Sequence, residues 1–277
     1  ISLDVCRPGV LDSRTLTFKG ANKLTLKNSD GAVRVSVGAG KVISIAAEIR
    51  AYMPSSDVQP VAEEYVKGLI TSTQTGEVVE ITTEPGARPD QIDLRVDYLI
   101  EVPEGTDITI EGSNGNVWVA KGCDDIDVQG NNSDIELNEP TGTVRAKSAN
   151  GRIRVNQAVK ETTIETVNGS IFATVDAGDL KATTANGNIM TTVRDKNVQS
   201  CDLTAMNGGI TLLLAEDCSA QVDATTGRGV VSTELPVTTT DSSPKRRELR
   251  GSIGDGGTRV NLNSLNGNIS IARSSAS

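Results

Sequence analysis

The sequence predicts an all-β fold: a β-solenoid, parallel β-helix-like, with coils of about 18 residues and one short helix in its N-terminal third. Three observations point there. The first is a recurring Asn-Gly pair, at Asn114-Gly115, Asn150-Gly151, Asn168-Gly169, Asn186-Gly187, Asn207-Gly208 and Asn266-Gly267, with Asn132-Ser133 and Thr226-Gly227 filling two gaps. Positions 114, 132, 150, 168 and 186 are 18 residues apart, and the later spacings are 21, 19 and 40.

The second observation is period-two alternation on both sides of each pair. Apolar or small residues stand six and four before the Asn, as in Ile108/Ile110, Ile126/Val128 and Val144/Ala146, and three and five after it, as in Val117/Val119, Ile135/Leu137 and Ile153/Val155. A small residue stands two before it: Gly112, Gly130, Ser148, Thr166, Thr184, Ala205, Ala224, Ser264. Such alternation marks half-buried strands. The third is composition: 36% hydrophobic, 2% aromatic and 27 Gly, which suits strands and turns.

Two architectures satisfy this pattern. Asn-Gly between alternating strands is a strong hairpin signal, so an array of hairpins is one. In the other, each unit is one solenoid coil with Asn-Gly at a corner. Parity places the same residues inward in both, and the fixed period favours the solenoid.

The chain divides into a less regular N-terminal β region over 1–110, continuous with Asn-Gly repeats over 111–277. In the first part Leu24/Leu26, Val33/Val35/Val37 and 42–49 read as strands, with Asp30-Gly31 as a turn. Val61, Tyr65, Val66 and Leu69 then recur at helical spacing, which predicts a helix over about 56–70, capping an end or face of the sheet or meeting a partner. Strands over 78–81 and 92–100 lead into the repeats.

The chain carries 36 acidic against 27 basic residues, a net charge of −9, and no His. Without His there is no His-based general base, nucleophile pair or His-ligated metal, and the acidic balance speaks against nucleic acid. No apolar run reaches the ~18 residues of a membrane span. The sequence starts at Ile1, read as the mature form of an exported chain.

Four cysteines, Cys6, Cys123, Cys201 and Cys218, show no CxxC spacing. Cys201 and Cys218, 17 residues apart, are candidates for a bridge between adjacent coils, or two buried thiols. Cys6 pairs with Cys123 or with another molecule. The acidic run Asp124, Asp125, Asp127 and Asp134 faintly echoes a calcium loop without its closing Glu, and a solvated acidic face is the simpler reading; neither metal nor cofactor is assigned. An insertion over 236–250 concentrates Lys245, Arg246, Arg247 and Arg250, which form either a solvated loop or a contact to an acidic partner such as a second copy.

The segment VDYLIEVPEGTDITIEGSNGNVWV, Val96 to Val119, resembles the bacterial putative adhesin family, and GSIGDGGTRVNLNSLNGNISI, Gly251 to Ile271, resembles the same family's closing unit. The likeness covers about Val33 to Ile271 and departs in its last spacing and its four cysteines. It implies an envelope-associated or secreted β-repeat protein with no established catalytic residues.

The expected function is therefore non-catalytic: a secreted or cell-surface structural protein that assembles end to end with copies of itself into a fibre. The alternative is a monomeric adhesin or glycan-binding module. A calcium-dependent polysaccharide-active enzyme has the least support, because aromatic subsites are missing.

Overall fold

The computed structural model describes residues 9–52, 59–84, 93–239 and 246–274. The chain opens with β1 (Gly9–Lys19), β2 (Lys23–Asp30), β3 (Val33–Val37) and β4 (Val42–Tyr52), then α1 (Gln59–Val66), β5 (Ile70–Thr75), β6 (Val78–Thr83) and β7 (Asp93–Val102). The repeats follow as β8 (Asp107–Asn114), β9 (Val117–Val119), β10 (Ile126–Asn132), β11 (Ile135–Asn138), β12 (Val144–Asn150), β13 (Ile153–Ala158) and β14 (Thr162–Asn168). Next come β15 (Ile171–Asn186), β16 (Ile189–Asn207) and β17 (Ile210–Leu214). The closing part holds β18 (Ala220–Thr226), β19 (Val231–Thr233), β20 (Val237–Thr239), β21 (Glu248–Ile253), β22 (Thr258–Ser264) and β23 (Ile269–Arg273). Among the described residues the fold is all-β with one short helix, and it is solenoid-like.

Two parallel ladders meet at the Asn-Gly corners. In the first, β8, β10, β12, β14 and the C-terminal half of β15 stack with partners 18 residues apart, as in Ile126↔Val144 and Asn168↔Asn186. In the second, β9, β11, β13 and the N-terminal half of β15 do the same, as in Ile135↔Ile153. Parallel pairing excludes the hairpin array for these repeats, since a hairpin joins antiparallel strands. The corner backbone agrees: among the described residues only Glu139 and Gln157 are non-glycine with positive φ, so no corner Asn adopts the left-handed geometry of a type I′ turn.

The corner glycines serve close approach. A Cβ on Gly115 would collide with the Gly31 carbonyl below it, and one on Gly151 with the Ser133 carbonyl. Where Ser133 replaces the corner glycine, the small-residue position before it becomes Gly130, whose Cβ would stand 2.6 Å from Ser133 Oγ. Stacking like on like turns the inward positions into columns such as Ile108, Ile126, Val144, Thr162, Leu180, Cys201, Val260 and Val222, all buried.

At both ends the order in space departs from the order in sequence. The β2–β3 unit lies between β6–β7 and β8–β9, and β22–β23 lies between β16–β17 and β18–β19. Antiparallel strands then cover the stack: β5 on β6, and β4 with β1 on β7, at one end; β21 and β20 on β18 at the other. Covering strands of this kind limit the exposed edge that invites aggregation.

This order corrects two readings. Cys201 stacks on Val260, and Val260 on Val222, whereas Cys218 lies in the β17–β18 connection with its Sγ 3.9 Å from the carbonyl of Val193, eight residues before Cys201 on β16. Cys201, Cys218 and Cys123 are free buried thiols. Cys6 lies outside the described residues, and so does the partner question it raised. Thr226-Gly227 does not occupy the corner slot: Thr226 pairs with Ser264, so Arg228 stands where the other coils have Asn.

Helix α1 is narrower than the predicted 56–70, of which 56–58 lie outside the described residues. Ala62 and Val66 are buried, whereas Val61 is 50% exposed, so it does not join the apolar stripe expected of it. The Arg14 guanidinium on β1 donates to the Val66 carbonyl at the helix C-terminus, a favourable place for a cation.

Candidate functional site: an outward groove beside an asparagine ladder

The corner asparagines form one continuous hydrogen-bonded chain. Asn114 donates to Asp30 Oδ1, and Asn132, Asn150, Asn168, Asn186, Asn207 and Asn266 each donate from Nδ2 to Oδ1 of the neighbour before it, at 2.6–2.9 Å. Seven of the eight sequence-identified corners thus come together, headed by Asp30 of the predicted Asp30-Gly31 turn. A second, shorter series runs along the opposite corner, where Asn156 donates to Asn138.

Two positions before Asn150, Asn168, Asn186 and Asn266, an inward hydroxyl satisfies the neighbouring corner. Ser148 Oγ donates to Ser133 O, Thr166 and Thr184 to the carbonyls of Gly151 and Gly169, and Ser264 to that of Gly208. Asn28 heads this column and donates to Val96 O at 2.9 Å. Because these side chains turn inward, their backbone forms a floor between two outward columns.

That floor is the base of a groove of about 830 Å³ running from β6 to β16. One wall is polar and charge-alternating: Lys27 pairs with Glu111 at 3.5 Å, Gln129 follows, then Lys147 with Glu165 at 2.9 Å, then Thr183. The other wall runs Ser29, Asn131, Ala149, Val167, Ala185 and Met206, turning from polar to apolar along the stack. Val167 and Met206 are about half exposed, and Leu265, just past the end of β22, extends the wall. Such an arrangement suits an extended chain with one polar and one apolar edge.

The remaining predicted residues sit elsewhere. Asp125 Oδ1 accepts from both the N–H and the hydroxyl of Thr143, which hold its carboxyl below the usual carboxylate range. Asp134 accepts from Arg152 N, Asp124 faces Thr141 and Lys160, and Asp127 faces Gln129. Burial pushes the Cys123 and Cys201 thiols up to about 12 and raises that of Cys218, so all three stay protonated and poorly nucleophilic near neutrality. Arg250 is engaged by Asp223 at 3.2 Å and Glu248 at 3.0 Å on the closing strands. Arg246 and Arg247 lend their carbonyls to Val231 N and Thr226 N, and Lys245 lies outside the described residues.

The groove walls were missed by sequence reasoning, which aligned the inward positions. The outward positions three and one before each Asn carry the same 18-residue phase, and reading them in register would have exposed the alternating charges and the apolar drift.

An all-β stack of parallel coils with a grooved outer face defines a solenoid-like repeat protein. The chain belongs to the Toastrack DUF4097 family, which matches residues 22–272. No curated protein matches it in sequence. Among solved structures it is similar to a putative lipid binding protein from Parabacteroides distasonis, at 13% identity and TM-score 0.50, over 95% of this chain and 96% of that one. It is also similar to a putative adhesin from Bacteroides fragilis, at 14% identity and TM-score 0.45, over 95% and 96% of the two chains. At such identities the likeness concerns the fold.

Proposed function

We propose that the chain is a non-catalytic binding module, secreted or displayed at the cell surface, that holds an extended partner in the groove of the first ladder and works as a monomer. The groove itself carries this reading: unlike walls over an unbroken backbone floor, spanning β6 to β16. Among the described residues no helix is long and apolar enough to cross a membrane.

Assembly into a fibre ranks second, and the edge of β1 favours it. β1 is 11 residues long, and β4 is its only strand partner among the described residues. At the opposite end, however, the edge strands β19 and β20 have three residues each, a poor seat for an edge of that length.

Light scattering across concentration, combined with saturation binding to cell-envelope material, tests the proposal. A monomer that binds saturably, and loses binding in Val167→Asp/Met206→Asp, is the expected result. Concentration-dependent filaments, or binding unchanged by those substitutions, would overturn it.

A further inference from the structure

We infer that the outer face of the second ladder is a separate site for an acidic polysaccharide, gripped by two arginine–aromatic clusters, Arg34 with Trp118 and Arg152/Arg154 with Phe172. Register places Arg34, Trp118, Glu136, Arg154, Phe172 and Met190 in one outward column on successive strands, β3, β9, β11, β13, β15 and β16. Four strand spacings separate Arg34 from Phe172, roughly 19 Å. The groove lies on the other ladder, across the asparagine corner.

The guanidinium of Arg34 lies 4.7 Å from the centre of the Trp118 ring, and those of Arg154 and Arg152 lie 5.2 and 5.7 Å from that of Phe172. On a chain of net charge −9, none of these three arginines has a carboxylate within ion-pair reach among the described residues, whereas Lys23, Lys27 and Lys147 of the first ladder do. A guanidinium stacked on a ring keeps its planar fork of N–H donors directed outward, pre-organised for a bidentate carboxylate or sulfate. The rings add flat apolar faces for sugar C–H surfaces. Six aromatics are too few for a broad sugar groove, yet these two suffice for two contact points on one linear chain.

The ligand class follows from the width and charge of the strip. It is one column wide, with Asp134 beside it and Glu136 within it, so a planar anionic bilayer would meet repulsion on its flank. Duplex nucleic acid, with one charge per ~1.7 Å of axis, would meet more. A polysaccharide bearing at most one acid per sugar lies along the column and places acids at the two arginine clusters. Glu136 sits between the clusters and weakens the grip.

Trp118 is the single tryptophan, so its fluorescence reports the site directly. Titration with polygalacturonate at low salt is expected to change it saturably, with dextran giving no response and added salt weakening the effect. Arg152→Ala/Arg154→Ala, checked by circular dichroism for an intact fold, is expected to bind about tenfold or more weakly. Arg154→Lys falls between, because it keeps the charge and loses the fork, and Glu136→Gln binds more tightly. Absent binding by calorimetry, an unchanged affinity in the double variant, or tighter binding of phosphatidylglycerol vesicles or polyglutamate would each overturn the inference. Val167→Asp/Met206→Asp should leave this titration unchanged; its loss there would place the polysaccharide in the groove and refute the separate site.

Discussion

The middle of the molecule and its two ends solve the same problem differently. From β8 to β16 each coil is templated by the one before it in sequence, so a single local rule is repeated: inward apolar pair, small residue, Asn, Gly, inward apolar pair. At the ends the units are placed out of order, β2–β3 under β8–β9 and β22–β23 between β16–β17 and β18–β19, and antiparallel strands close the stack. Repetition extends a stack and never finishes it. Finishing needs pairings between residues far apart in the chain, as Arg259 is from Ser200.

The contrast is sharpest at glycine. Gly151, in the middle, sits on the Ser133 carbonyl, while Gly76, in the turn joining β5 and β6, has φ +60° with nothing within 4 Å of an added Cβ. Gly151→Ala must push two stacked corners apart and is expected to cost about 3 kcal/mol or more. Gly76→Ala pays only for its left-handed backbone, about 1 kcal/mol. Equilibrium denaturation of the two variants checks this. Equal losses would mean that the corners are not close-packed as described.

How much was legible in sequence follows the same division. The 18-residue phase of Asn114, Asn132, Asn150, Asn168 and Asn186 revealed the strands, the inward columns and the corner residues of the middle, because adjacent coils there are adjacent in sequence. Thr226 was misassigned, since its coil stacks on β22, which arrives some thirty residues later, and only the register Thr226↔Ser264 shows Arg228 in the slot. Cys201 and Cys218 looked one coil apart for the same reason. The groove was invisible because surface columns obey no hydrophobic rule, although their phase is the same.

The asparagine ladder offers a smaller, graded test. Asn150 both donates to Asn132 and accepts from Asn168, whereas Asn266 makes a single ladder bond, to Asn207. Removing Asn150 therefore leaves two partners to water, an expected loss of about 1–2 kcal/mol; Asn266→Ala should cost about half as much. Thermal melts of the two alanine variants measure the difference. If Asn266→Ala proved the more damaging, the ladder would matter chiefly as an end closure.

The smallest effect concerns Asp125, whose carboxylate accepts two hydrogen bonds from Thr143, 18 residues on, and so ties neighbouring coils at the corner opposite the ladder. Its folded pKa lies below the ordinary 3.8, so the ionised form is favoured in the folded state. The stability this adds is present above the unfolded pKa and is lost as pH falls through the folded value. Thr143→Val removes the hydroxyl donor and keeps the backbone N–H. The Asp125 pKa, followed by carboxyl-carbon NMR, is then expected to rise part of the way toward 3.8. Wild type and variant should melt most alike in strong acid, where Asp125 is protonated in both, and diverge above it. A pKa unmoved by Thr143→Val would assign the depression to the backbone N–H alone, and the tie between coils would then be independent of which residue occupies position 143.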